Sequence, residues 1–192
     1  ILLTAMTNLN AQVTKAPKFG KGLFNLVGQD SSWTMKVGLR FQFLATALMQ
    51  DGESPESSFL IRRSRLKFDG FAVTPKLKYK VELGLSNRDM SGTSVFTGNT
   101  PRYVMDAVLK YNFFENFVLW VGQTKLPGNR ERVISSQALQ FVDRSQLNSK
   151  YNIDRGTGVQ LHGKQKLGAV VVKEIGAISM GEGRNFTDDN IG

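Results

Sequence analysis

The chain has 192 residues, enough for one domain of ordinary size, with 25 Lys and Arg against 16 Asp and Glu. That formal net charge of +9 implies an anionic partner: nucleic acid, a lipid surface or a small anion. With no cysteine and one histidine, disulfide frameworks, thiolate metal sites and most nucleophile–base arrangements lack their parts, so neither an enzyme nor a metal or cofactor is expected.

No uncharged apolar run reaches the ~18 residues of a membrane helix. The mean hydropathy of −0.22 reads as soluble, but transmembrane β-barrels escape that reading because half of each strand is polar. At the N-terminus "ILLTAMTNLNAQ" reads as the tail of a signal peptide cleaved after Ala11, so residues 1–11 are assigned to its remnant. Residues 12–32 carry scattered Gly and Lys without a period and are expected to be irregular.

From Trp33 the texture becomes period-two alternation, the mark of half-buried strands. In "TMKVGLRFQFLATA" the side chains of Met35, Val37, Leu39, Phe41, Phe43 and Ala45 share one face. Lys36, Gly38, Arg40 and Gln42 share the other. After the polar loop "QDGESPESS", residues 59–71 set Arg63, Arg65, Lys67 and Asp69 against Leu60, Leu66 and Phe68. A short turn at 73–76 leads to "KLKYKVELGLS", where Leu77, Tyr79, Val81, Leu83 and Leu85 alternate with Lys76, Lys78, Lys80, Glu82 and Gly84. The long loop "NRDMSGTSVFTGNTP" precedes a strand with Tyr103, Met105, Ala107, Leu109 and Tyr111 opposite Arg102, Asp106 and Lys110. "NFFEN" then turns into "FVLWVGQ", apolar on both faces; Trp120 is placed on or near the outer one. Residues 124–152 are not strand-like, and "SSQALQFVDRS" within them has the make-up of a helical turn or two. Two more strands follow, "GTGVQLHGK" and about 168–180, joined through "KQK". That makes about seven strands with short turns and long loops in alternation, the pattern of outer-membrane barrels.

Two settings accept such strands: a soluble sandwich with charges in water, or a barrel with charges lining a wet lumen. In a barrel the sidedness is forced. Each Lys or Arg facing lipid at mid-membrane costs about 2–4 kcal/mol, so Arg63, Arg65 and Lys67 outward would cost roughly 6–12 kcal/mol, comparable to a domain's whole stability. Arg62, next to Arg63, then falls on the outer face unless it sits at the interface or a bulge intervenes. A basic nucleic-acid-binding domain would interleave aromatics with its cations, whereas Phe41, Phe43, Phe68 and Tyr79 lie opposite them. A barrel of structural or scaffolding role remains a further alternative.

The segments "MKVGLRFQF", "IRRSRLKFDGFAVTPKLKYKVELGLS" and "VGQTKLPGNRERVISSQALQFVDRSQL" resemble, in order, the first part of the phosphate-selective porins of the O and P type, with an echo in "GEGRN". The resemblance implies an all-β fold, a transmembrane antiparallel barrel of which residues 33–192 form about seven of sixteen strands, preceded by a periplasmic segment at 12–32. It implies a homotrimer in the lipid of the outer membrane of a Gram-negative bacterium, with no nucleic-acid partner. A loop over about 124–152 would fold inward and narrow a passage for phosphate-like anions. Carried over by position, Arg40 and Arg63 match arginines near that constriction and Ser135 and Ser136 its paired serines. Arg132 stands where the family has a lysine, and Lys78 matches a lysine on the periplasmic side. Arg65, Lys67 and Lys80 complete the expected anion path, in which the Arg fork grips phosphate and Lys acts as a point charge.

Overall fold

A computed structural model of the chain describes residues 12–13, 24–52, 54–90, 92–151, 153–181 and 183–184. The expected signal remnant at 1–11 lies outside the described residues. Every period-two segment is a strand: β3 (Thr34–Leu48), β4 (Glu56–Ala72), β5 (Thr74–Gly84), β6 (Val104–Phe114), β7 (Phe117–Lys125), β8 (Arg155–Leu167) and β9 (Val170–Ser179). Two short strands precede them inside the stretch read as irregular, β1 (Gln12–Val13) and β2 (Phe24–Val27). Four residues are too few to display a period, so β2 leaves no mark on the sequence; it exists by pairing with β3.

All nine strands form one antiparallel sheet in chain order. Among the described residues β9 does not pair back onto β1, so the sheet is an open portion of a barrel. The connections alternate as expected: one residue (73), 115–116 and 168–169 are tight, whereas 49–55, 85–103 and 126–154 are long. The last tight turn is displaced from "KQK" to Gly168–Ala169, and Lys164 to Leu167 continue β8. Gly168 supplies the left-handed backbone that turn needs, φ 60°.

Burial is inverted relative to a soluble domain. Among the described residues the buried apolar side chains are Met105 and Val108 alone, while Arg63, Asp89, Asp106, Arg155 and Gln160 are all buried. Phe41, Phe43, Phe59, Leu109 and Tyr111 are exposed on the opposite face, with Phe43 and Phe59 stacked across β3 and β4 at 5.8 Å. The loop 126–154 lies against the charged face, which is called inner from here on.

Three corrections to strict alternation come from the registers and contacts. Gln42 pairs with Arg63 and Phe43 with Ile61, so Arg62 is an extra residue, a bulge. Arg62 and Arg63 both reach the same inner-face partner, and Leu60 moves to the inner side. A second bulge, at Met105, lies between the Glu82–Asp106 and Leu83–Val104 pairs and turns that side chain inward. Trp120 is also inner, paired in register with Lys110 and Gln160.

Gly122 in β7 has φ 124°, and a Cβ there would lie 2.3 Å from the Ala107 carbonyl oxygen of β6. Gly122→Ala is expected to destabilise the folded protein by about 1–3 kcal/mol through backbone strain. Gly176→Ala on β9, where a Cβ meets nothing within 4 Å, should stay within about 0.5 kcal/mol. Urea midpoints in detergent measure both; equal midpoints would contradict the strain assigned to Gly122.

Candidate functional site

The site is built where the loop 126–154 meets the inner faces of β3 to β8. The loop closes on itself first: the Leu126 amide donates to the Asp154 carbonyl at 3.0 Å. It holds two one-turn helices, α1 (Arg130–Val133) and α2 (Gln146–Lys150). Asn129 caps α1 by accepting from the Arg132 amide at 2.9 Å, and Ser145 caps α2 by accepting from Asn148 at 3.2 Å. Ser145 also donates its amide and hydroxyl to the Glu131 carboxylate at 2.7 and 2.9 Å, tying the helices together. Those two donors, the amide foremost, hold the Glu131 carboxyl below its usual range. Glu131 and Arg132 do not pair with each other; Arg132 reaches Asp154 instead.

The carbonyl end of α1 is met by cations. Lys125 Nζ donates to the carbonyls of Arg132 and Ile134 at 3.0 and 3.2 Å. The Arg144 guanidinium donates to those of Glu131 and Ile134 at 3.0 and 2.8 Å. Charge-assisted bonds of this kind satisfy the orphan carbonyls of a helix end.

Two contacts then pin the loop to the wall. Arg62 and Arg63 both pair with the Asp143 carboxylate, and Arg63 also donates to the Val142 carbonyl at 3.0 Å and to Gln42 at 2.6 Å. Burial pushes the Asp143 carboxyl up, but the Arg62 hydrogen bond and the two guanidinium charges outweigh it, and the group stays below its ordinary 3.8. The second contact is at the loop's inner tip, where Ser136 Oγ accepts from Arg40 Nη2 at 2.9 Å and from Arg65 Nη1 at 3.5 Å.

Ser135 does something else. It is exposed, its hydroxyl accepts from the Gln137 amide at 3.3 Å, and its carbonyl accepts from Ala138. Residues 135–142 form turns and bends, contrary to the helical turn read from "SSQALQFVDRS". The serine hydroxyl competes for the backbone amides that a helix would use. The α-helical turns lie on either side instead.

A ladder of alternating charge crosses the sheet. Asp89 meets Arg65 at 2.5 Å, Arg65 meets Glu82 at 3.2 Å, Glu82 meets Lys80 at 2.8 Å and Lys80 meets Asp106 at 2.5 Å. Asp106, only 1% exposed, accepts from Arg155 at 2.8 Å, and Arg155 leads through Asp154 to Arg132. A buried carboxylate persists only with such compensation, and removing one partner typically costs 3–5 kcal/mol. Lys67 pairs with Asp69 at 2.8 Å beside the ladder.

Even so, positive charge is in excess. A cavity of about 900 Å³ is lined by eight Lys and Arg against Asp69, Glu82 and Asp106. A smaller one of about 140 Å³ between loop and wall is lined by nine cations against Asp89 and Asp154. The structure gathers Arg40, Arg65, Lys67, Lys80 and Ser136 at the larger cavity and Arg63, Arg65, Arg132 and Ser136 at the smaller. Lys78 lies outside both, exposed near the turn at Val73, and Ser135 touches only the larger.

Alternation missed Arg155, Asp89, Asp143, Arg144 and Lys125, because they sit at strand ends or in loops. It also missed an inner-face stack. Trp120 lies 3.9 Å from the His162 ring at 20°, with Lys110 Nζ 3.6 Å from the indole. His162 bonds Gln160 at 3.0 Å.

Among known proteins, a search of curated sequences finds no match to this chain. Residues 35–190, most of the chain, match the family described as phosphate-selective porin O and P. The open antiparallel sheet, its charged inner face and its folded-in loop accord with that match, and the chain belongs to the phosphate-selective porin O and P family.

Proposed function

We propose that the chain forms part of an anion-selective passive diffusion channel in the outer membrane of a Gram-negative bacterium. It assembles as a homotrimer with its exposed Phe, Leu and Tyr face against lipid, and it passes phosphate or polyphosphate-like anions. Arg40, Arg63, Arg65, Lys67, Lys80, Arg132 and Ser136 line the path. Lys78 marks its periplasmic end, and Ser135 shapes the turn that presents Ser136.

The observation that carries this reading is the Arg40–Ser136–Arg65 junction at the loop tip. Two guanidinium groups converge there on one hydroxyl, and both residues line the larger cavity. An oxyanion in that cavity meets two fixed positive charges that carry several N–H donors. The neighbouring carboxylates hold the other cations in place without neutralising the cavity, so an anion is admitted yet released. A soluble nucleic-acid-binding domain is disfavoured, since it would leave the broad apolar face of β3 to β9 in water.

Two outcomes are expected in planar bilayers containing the intact protein. Reversal potentials should show preference for chloride over potassium, and phosphate should block the chloride current. Arg40→Gln should weaken that block by about ten- to a hundredfold, the loss of one charged hydrogen bond worth about 1.5–3 kcal/mol. Cation preference, or an unchanged block, would overturn the reading.

A further expected outcome concerns pH. Because the folded Asp143 pKa lies below its ordinary 3.8, its pin contributes fully above that value and is lost as pH falls through the lowered one. Single-channel conductance should therefore hold steady from pH 7 to the ordinary carboxylate range and step upward only below it. Asp143→Asn should show the raised conductance at every pH; a parental step retained in that variant would remove Asp143 from the role.

A further inference from the structure

The larger cavity exceeds what a bare phosphate needs, and part of its lining is aliphatic. Its volume of about 900 Å³ lies in the range of pockets that hold drug-sized organic molecules. Leu126, Pro127, Val133 and Ile175 line it together with Lys67 and Lys110. Ile175 pairs in register with His162 and so shares the inner face, where it is 43% exposed; Val133 is 49% exposed. Inner strand positions of a water-filled barrel are ordinarily polar, so Ile175 departs from the pattern, and the loop adds Leu126, Pro127 and Val133 to the same lining.

Trp120 lines the same cavity and restricts what the cavity accepts. Lys110 and His162 both lie within 4 Å of its ring, which requires opposite faces of the indole. A solute therefore meets the indole's edge, and flat stacking on it is closed off. The aliphatic lining offers apolar contact, and the cations of the same cavity offer a site for a charged head.

We infer, building on the anion-channel reading above, that this cavity takes phosphate monoesters and phosphonates carrying a compact apolar body. The oxyanion lies toward Lys67 and Lys110, and the body lies against Val133 and Ile175. Each methylene such a solute buries is worth about a factor of four in affinity.

The probe is phenyl phosphate, compared with inorganic phosphate as a blocker of chloride current through the intact protein in planar bilayers. Half-block by phenyl phosphate should come at about tenfold lower concentration, equivalent to about 1.4 kcal/mol. In the near-isosteric double variant Val133→Thr with Ile175→Thr the advantage should fall to about twofold or less, with the inorganic phosphate block unmoved. Ile175→Thr alone, on a strand away from the loop tip, should lose part of it and serves if the double variant fails to insert. Equal block by the two anions, or an advantage that survives both substitutions, overturns the inference while leaving the channel reading intact. Absence of any block by inorganic phosphate defeats the channel reading itself, and this inference with it.

Discussion

A guanidinium buried on a sheet face must find oxygen atoms, and a loop folded over a sheet must find donors for its carbonyls. This chain meets both demands with one set of contacts. Arg40, Arg62 and Arg63 take the Ser136 hydroxyl, the Asp143 carboxylate and the Val142 carbonyl. Lys125 and Arg144 serve the carbonyls of Arg132, Glu131 and Ile134. Neither sheet nor loop is satisfied alone. The position of the loop is thus a consequence of hydrogen-bond accounting more than of shape.

The same accounting explains how the inner face carries so many cations without flying apart. The ladder from Asp89 to Arg132 alternates sign at every step, with Asp106 sealed between Lys80 and Arg155. The carboxylates are spent inside the wall, and the surplus charge of Arg40 and its neighbours is turned toward open space. Fixed acid and free base on one surface give a rigid lining that still attracts anions.

The strands were legible because their side chains answer a period of two: Lys76, Lys78 and Lys80 against Leu77, Tyr79 and Val81 name both the element and its faces. Legibility ended wherever an extra residue entered. The bulges at Arg62 and Met105 follow from pairing across the sheet, which a linear pattern does not encode. β7 withheld its faces because Val118, Trp120 and Gly122 are as apolar as Leu119 and Val121, so only its register with Lys110 and Gln160 turns Trp120 inward. In the site, Arg40, Arg65 and Ser136 were found from strand parity and family resemblance. Asp89, Asp143 and Arg155 were invisible, since a lone acid or base in a loop or at a strand end advertises no partner many residues away.

The clamped indole has a further consequence. The chain holds only two tryptophans, and the other, Trp33, sits against Gly28 beside the β2–β3 turn. Trp120 alone reports from the cavity wall, with an ammonium on one face and an imidazole on the other. With Trp33 replaced by Phe, its emission becomes a built-in optical gauge: any cargo that draws Lys110 away alters the field across the chromophore and recolours the fluorescence.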